Sequence, residues 1–176
     1  TVQAEGGVHV LTDEFLRGIR KICDKYGILL VVDDIQVGCG RTGSFFSFEQ
    51  AGIVPDIVTL SKSISGYGLP MAIVLLKPEL DVWSPGEHNG TFRGNQPAFV
   101  TAKAGIELMI EKKIPERVKY VGKILKERLN SSIKSAGIEN QCEVRGKGLI
   151  VGIDVYNENT AKAVASKCFE DGVIVE

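Results

Sequence analysis

The feature that most constrains this chain is the run Gly27-Ile28-Leu29-Leu30-Val31-Val32, which stops on two acids, Asp33 and Asp34. A short apolar, β-branched run without polar alternation predicts a fully buried parallel strand. The stretch before it, Thr12 to Tyr26, carries Phe15, Leu16, Ile19 and Ile22 at helical spacing. Thr12 suits an N-cap there, and Gly27 suits the residue just past the helix. Two more strand-like runs follow, Ile57–Ser61 entered from Pro55-Asp56 and Ala72–Leu76 closed by Lys77-Pro78. Helix, strand and further strands predict an α/β layer built on a mostly parallel sheet.

The pattern changes after residue 95. Pro97 to Lys113 is Ala-rich and helical, and Pro115 opens a second helix to about Ser135. In that helix Val118, Val121, Leu125, Leu129 and Ile133 form one apolar stripe, with the charges mostly off it. A strand pair near Glu143–Arg145 and Leu149–Val155, a helix from Thr160 to Glu170 and a last strand at Val173–Val175 complete the expectation. The helix after Asn95 is the expected seam between two domains. The opening at Thr1 and the strand-like run at the end lead us to expect a piece of a longer protein.

Composition narrows the class. A net charge of −1 over 176 residues, with mixed signs, excludes a polycationic nucleic-acid arm and a disordered acidic tail. The apolar runs fall far short of the roughly 18–20 residues that cross a bilayer. No basic stretch leads into an apolar one near Thr1, as a signal peptide would. Cys23, Cys39, Cys142 and Cys168 are scattered, and His9 and His88 lie far apart. Reduced thiols, no metal and a cytoplasmic setting are the expectation.

Ligands of open α/β sheets sit outside the carboxyl ends of the strands. Asp33 and Asp34 close one strand and Lys62 lies just past the next, although a surface acid and a surface lysine would look the same. Gly38-Cys39-Gly40-Arg41-Thr42-Gly43 matches G-x-G-x-x-G, with Asp56 18 residues beyond Gly38. That motif should pass directly from strand to helix. Here Asp33–Val37 intervenes, and Ser44-Phe45-Phe46-Ser47-Phe48 does not start a helix, so a dinucleotide site is the weaker reading.

Three runs carry a resemblance: Leu30-Val31-Val32-Asp33-Asp34-Ile35-Gln36, then Gly40-Arg41-Thr42-Gly43, then Pro55 through Lys62. With Gly86–Phe92 and Val144–Leu149 in the same order, the whole chain resembles the class III aminotransferases. The 29-residue step from Asp33 to Lys62 fits that family's spacing between its cofactor acid and its cofactor lysine. The resemblance implies fold type I of the transferases dependent on pyridoxal phosphate (PLP), an α/β class. Residues 1–95 would be part of the PLP-binding large domain, with its mostly parallel sheet. Residues 96–176 would be a linking helix and part of a smaller α+β C-terminal domain.

The resemblance also implies roles. Lys62 would hold the cofactor aldehyde and move the proton. Asp33 would keep the ring nitrogen protonated, because a nearby opposite charge favours the charged form. Asp34 stands where the family usually has Glu. Ile35 would lie against one ring face, sharing a side of an extended segment with Asp33, or would simply pack in the core. Gln36 would donate to the ring's 3′ oxygen, and Thr91 would reach the cofactor phosphate of the neighbouring subunit in a homodimer or higher homo-oligomer. Arg145 would grip a substrate carboxylate through two parallel donors. Glu5 would pair with Arg145 when no glutamate is bound, forming a gate.

Asp33–Gly40, Ser61–Pro70 and Glu87–Asn95 look further like the diaminobutyrate–2-oxoglutarate branch of the family, which serves ectoine biosynthesis. That branch implies transfer of the amino group of L-glutamate to aspartate 4-semialdehyde. Another ω-aminotransferase, of ornithine or 4-aminobutyrate type, or an inert fragment, is the alternative. The family's Gly-Ser/Thr phosphate loop and stacking aromatic have no counterpart in residues 1–176, so little activity is expected of this piece alone.

Overall fold

The computed structural model describes residues 1–175. A short antiparallel hairpin, β1 (Val2–Gln3) and β2 (His9–Val10), leads into helix α1 (Asp13–Tyr26). Thr12 caps α1 as expected, its side chain accepting from the Phe15 N–H at 3.1 Å. Gly27 ends it in the left-handed region at φ 64°, which a residue without Cβ adopts at no steric cost.

The central sheet has the order β3 (Val31–Asp33), β4 (Ile57–Leu60), β5 (Ile73–Leu76). β3 and β4 are parallel, with Asp33 opposite Thr59, and β5 runs antiparallel to β4. The core lies on one face of this sheet: Val32, Val58 and Leu60 meet Leu16 from α1 and Phe48, Ala51 and Ile53 from the segment before β4. Full burial of such side chains stabilises by about 1.5–3 kcal/mol each.

Two expectations from sequence need correcting. The run Gly27–Val32 is not buried on both faces: Val32 is buried, whereas Val31 is 54 % exposed, and Ile28 and Leu29 are similarly open. Among the described residues, α1 and the segment after Phe46 cover one side of β3 and no element covers the other. Among the described residues Val173–Val175 forms no strand and pairs with none; it leaves α4 (Glu158–Glu170) as exposed irregular chain.

The second half is α2 (Gln96–Glu111), α3 (Ile114–Ala136) and an antiparallel hairpin of β6 (Glu143–Lys147) and β7 (Ile150–Asp154). Three backbone segments meet where the halves touch. A Cβ on Gly122 of α3 would collide with the Gly148 carbonyl in the β6–β7 turn, and one on Gly148 would collide with the Arg41 carbonyl. The Leu149 N–H donates to that same Arg41 carbonyl at 3.0 Å. Glycine is required here because main chain approaches main chain with no side chain between. The segment Gly38–Gly43 is therefore a packing turn rather than the opening of a helix.

Candidate active site

Lys62 follows β4 in a 3-10 turn, Lys62–Ser65, whose geometry is fixed from below. Ile64 and Ser65 are buried, the Ser65 hydroxyl accepts from the Gly68 N–H at 2.9 Å, and Ser61 donates to the Met71 carbonyl at 2.8 Å. Helix α2 presses on the same turn, with Gly105 against Gly66. Lys62 itself is exposed and sits at φ 51°. A non-glycine residue in that region stores strain of about 1–3 kcal/mol, the kind of backbone state that clusters at functional sites. It borders an open depression of about 590 Å³ with Ser61, Ser63, Gly66, Leu69, Pro70 and Met71. Among the described residues no carboxylate is paired with it.

Asp33 ends the adjacent parallel strand. Its register partner is Thr59, three residues before Lys62, and neighbouring strands lie about 4.8 Å apart. The acid and the lysine thus share the carboxyl edge of the sheet. One Asp33 oxygen accepts from the Ile35 N–H at 2.9 Å, a short turn that leaves the other oxygen without a hydrogen bond among the described residues. Ile35 is half-buried beside it. The extended-segment argument for Ile35 fails: residues 35–40 are turns, closed by the Gly38 N–H on the Asp34 carbonyl at 2.9 Å. The turn, not strand alternation, brings Ile35 next to Asp33.

Asp34 points the other way and is 1 % exposed. Its carboxylate accepts from the Ser47 N–H at 2.8 Å and from the Ser47 hydroxyl. Burial pushes its carboxyl above the ordinary range despite those two bonds. Ser47 escaped the sequence reading, although a lone hydroxyl among Phe45, Phe46 and Phe48 signals a buried polar group in need of a partner. Cys39 is half-buried, its thiol pushed up to about 11 by burial and by Asp34, so it is no nucleophile.

The expected Glu5–Arg145 gate is not formed. Arg145 Nε lies 3.0 Å from Glu143 and Nη2 2.7 Å from Asp154, while Nη1 donates to the Gly7 carbonyl at 3.5 Å. The edge that would offer two parallel donors to a substrate carboxylate is already shared by two acids. Glu5 instead accepts from Gln36 Nε2 at 2.6 Å. Sequence could not foresee this, because Asp154 reaches Arg145 only through the β6–β7 register, in which Asp154 lies opposite Glu143. Thr91 lies in the exposed stretch 81–94, and among the described residues no hydrogen bond joins it to Asp33, Gln36 or Lys62. Asn95, just after that stretch, donates to the Pro70 carbonyl at 3.1 Å, so the stretch ends at the Lys62 depression.

The dinucleotide reading fails on the same geometry. Asp56 sits at the opposite, amino edge of the sheet, held by Arg20 at 2.7 Å, Lys77 at 2.6 Å and the Leu30 N–H at 2.7 Å. No ribose hydroxyl could reach it beside Gly38–Gly43.

Solved structures define the class. The ornithine aminotransferase of Plasmodium yoelii matches with a TM-score of 0.91 at 33 % identity, covering 99 % of this chain and 47 % of that one. The Toxoplasma gondii ornithine aminotransferase, whose active site is partially occupied by PLP, matches at 0.92 and 30 %, covering 99 % and 41 %. The fold is part of the fold-type I architecture of PLP-dependent transferases. The chain belongs to the class III aminotransferases, whose family model matches residues 1–176. It is 52 % identical to the diaminobutyrate–2-oxoglutarate transaminase of Streptomyces coelicolor and 54 % identical to that of Wolinella succinogenes. All of this chain is covered in both, against 42 % and 41 % of those proteins. The chain therefore spans about two fifths of the length of these relatives.

Proposed function

We propose that the protein containing this chain is a PLP-dependent transaminase. It moves the amino group of L-glutamate to aspartate 4-semialdehyde, giving L-2,4-diaminobutyrate and 2-oxoglutarate. The observation that carries this is that Asp33 and Lys62 share the carboxyl edge of two adjacent parallel strands. It stands on a chain about half identical to transaminases of that name.

The residues present fit the cofactor. Lys62 presents a primary amine to an open depression, and Asp33 retains an unshared carboxylate oxygen. When bound, pyridoxal phosphate supplies an aldehyde and an electron-accepting ring. Lys62 Nζ would hold the cofactor and would move the proton during transfer. Asp33 would keep the ring nitrogen charged, Ile35 would pack on a ring face, and Gln36 would donate to the ring oxygen. Arg145 would grip a substrate carboxylate in exchange for its contacts with Glu143 and Asp154.

In this reading residues 1–95 belong to the PLP-binding large domain, and residues 96–176 supply a linking helix and part of the small domain. Thr91, in an exposed stretch, would serve the neighbouring site of a homo-oligomer. A cytoplasmic place in ectoine synthesis is consistent with four free thiols and with the absence, among the described residues, of a helix able to cross a membrane. The bare faces of Ile28, Leu29 and Val31 support little turnover by the 176-residue chain alone.

The test uses the full-length enzyme. L-2,4-diaminobutyrate with 2-oxoglutarate should give a higher kcat/KM than ornithine or 4-aminobutyrate; the reverse order overturns the substrate. Lys62→Ala should lose turnover by about 10³-fold or more together with the visible absorbance of bound PLP. Retention of that band would remove Lys62 from the site.

A further inference from the structure

Asp34 is a buried acid that the chemistry above does not use, although it stands one residue after Asp33. Three separate attachments hold it. Its N–H donates to the Thr59 carbonyl at 3.0 Å, which carries the β3–β4 pairing one step past Asp33. Its carbonyl accepts from the Gly38 N–H at 2.9 Å, and a Cβ on Gly38 would lie 2.8 Å from that carbonyl oxygen. Its two carboxylate oxygens are divided between the Ser47 N–H, at 2.8 Å, and the Ser47 hydroxyl. Ser47 is a firm anchor, fully buried between Phe46 and Phe48, whose rings stack at 5.2 Å, with Phe48 in the core beside Val32.

The effect reaches Asp33 through one peptide group. The Ile35 N–H that donates to Asp33 at 2.9 Å belongs to the same planar unit as the Asp34 carbonyl. Fixing Asp34 therefore fixes the direction of that N–H. It decides which Asp33 oxygen is occupied and which stays open to a ligand. Side-chain length matters as well. Asp34 and Ser47 already meet at hydrogen-bonding distance and have no free space around them. A Glu at 34, one methylene longer, would overfill that site unless the Ser47 hydroxyl were removed.

We propose that Asp34 and Ser47 are a matched pair of positioning residues that aim the Asp33 carboxylate at the cofactor ring nitrogen. This rests on the reading of Asp33 as the acid at that nitrogen.

The test uses the full-length holoenzyme. It reads the pH midpoint of the visible absorbance of bound PLP and the dissociation constant for PLP, beside the thermal midpoint. Displacing Asp33 changes the charge at the ring nitrogen, which the conjugated ring transmits to the group that titrates. Ser47→Ala and Asp34→Glu should each move the absorbance midpoint by about 0.5 pH unit or more. Each should also weaken PLP binding about 10-fold, the scale of one charge-assisted hydrogen bond. The double variant should lie closer to wild type than either single one, because the alanine leaves room for the longer acid. Asp34→Asn keeps an acceptor for the Ser47 N–H and gives the hydroxyl a donor, so it should fold and leave the absorbance midpoint in place.

A lower thermal midpoint with both PLP readouts unmoved in Ser47→Ala and Asp34→Glu overturns the proposal, since the pair would then serve folding alone. A shift in Asp34→Asn as large as in Ser47→Ala overturns it too, because Asp34 would then act through its charge. A double variant no better than the worse single one removes the match. Should Asp34→Glu alone fail to fold, Ser47→Ala carries the same readouts. A band that is lost in Lys62→Ala yet insensitive to Asp33→Asn removes the Asp33 reading itself, and the proposal with it.

Discussion

The two ends of the central sheet use the same residue types for opposite purposes. At the amino edge Asp56 is closed in by Arg20, Lys77 and the Leu30 N–H, and these three donors hold its carboxyl well below the usual range. At the carboxyl edge Asp33 keeps an oxygen free, and Lys62 stands on a strained backbone without an acid partner among the described residues. A charge satisfied by its own protein contributes to folding; a charge left unsatisfied is available to a ligand.

That contrast breaks most directly at Asp33. Asp33→Asn keeps an acceptor for the Ile35 N–H, so the turn and the thermal midpoint should be unchanged. Loss of the charge should lower kcat by about 10²-fold or more, on the scale of removing one preorganised electrostatic partner. A matching fall in stability would show that Asp33 belongs with Asp56 as a structural acid.

The converse substitution, Asp56→Asn, should leave kcat of the folded enzyme intact. It should cost about 2 kcal/mol in denaturant unfolding, below the range for a fully buried pair because Lys77 is 39 % exposed. A smaller effect sharpens the comparison by pH. Asp56, with its folded value depressed, adds stability above the ordinary carboxylate value of about 4 and loses it as the pH falls toward its folded value. Asp34, with its folded value raised by burial, behaves oppositely, its contribution being greatest below about 4 and lost as the pH rises through its folded value. Stability profiles of Asp56→Asn and Asp34→Asn should flatten below and above the ordinary carboxylate value respectively.

What the sequence made legible follows the range of the forces involved. The caps of α1 at Thr12 and Gly27 are local, and both were readable. So were the strands after Asp56 and Met71, bounded by proline and charge. The Asp33–Lys62 pair emerged because strand ends locate ligands in parallel sheets, and the parallel register supports that reading. Asp34's bond to Ser47, Arg145's clasp by Glu143 and Asp154, and Glu5's turn to Gln36 depend on side chains set by tertiary register. Motif resemblance cannot specify such partners; it paired Glu5 with Arg145 because they stand where the family has its acid and its carboxylate arginine. The open face of β3 was hidden for another reason: hydrophobic pattern records what a strand requires, not which segment covers it.

The meeting of Gly122, Gly148 and the Arg41 carbonyl has a consequence for how this scaffold can change. The distance between the Gly38–Gly43 turn and the β6–β7 hairpin is written in main chain alone, so it does not depend on which side chains line the depression. Ser63, Leu69 or Met71, which line the depression, can change while the frame stays constant. A mutational library seeking new amine acceptors should leave those two glycines untouched and sample the lining freely.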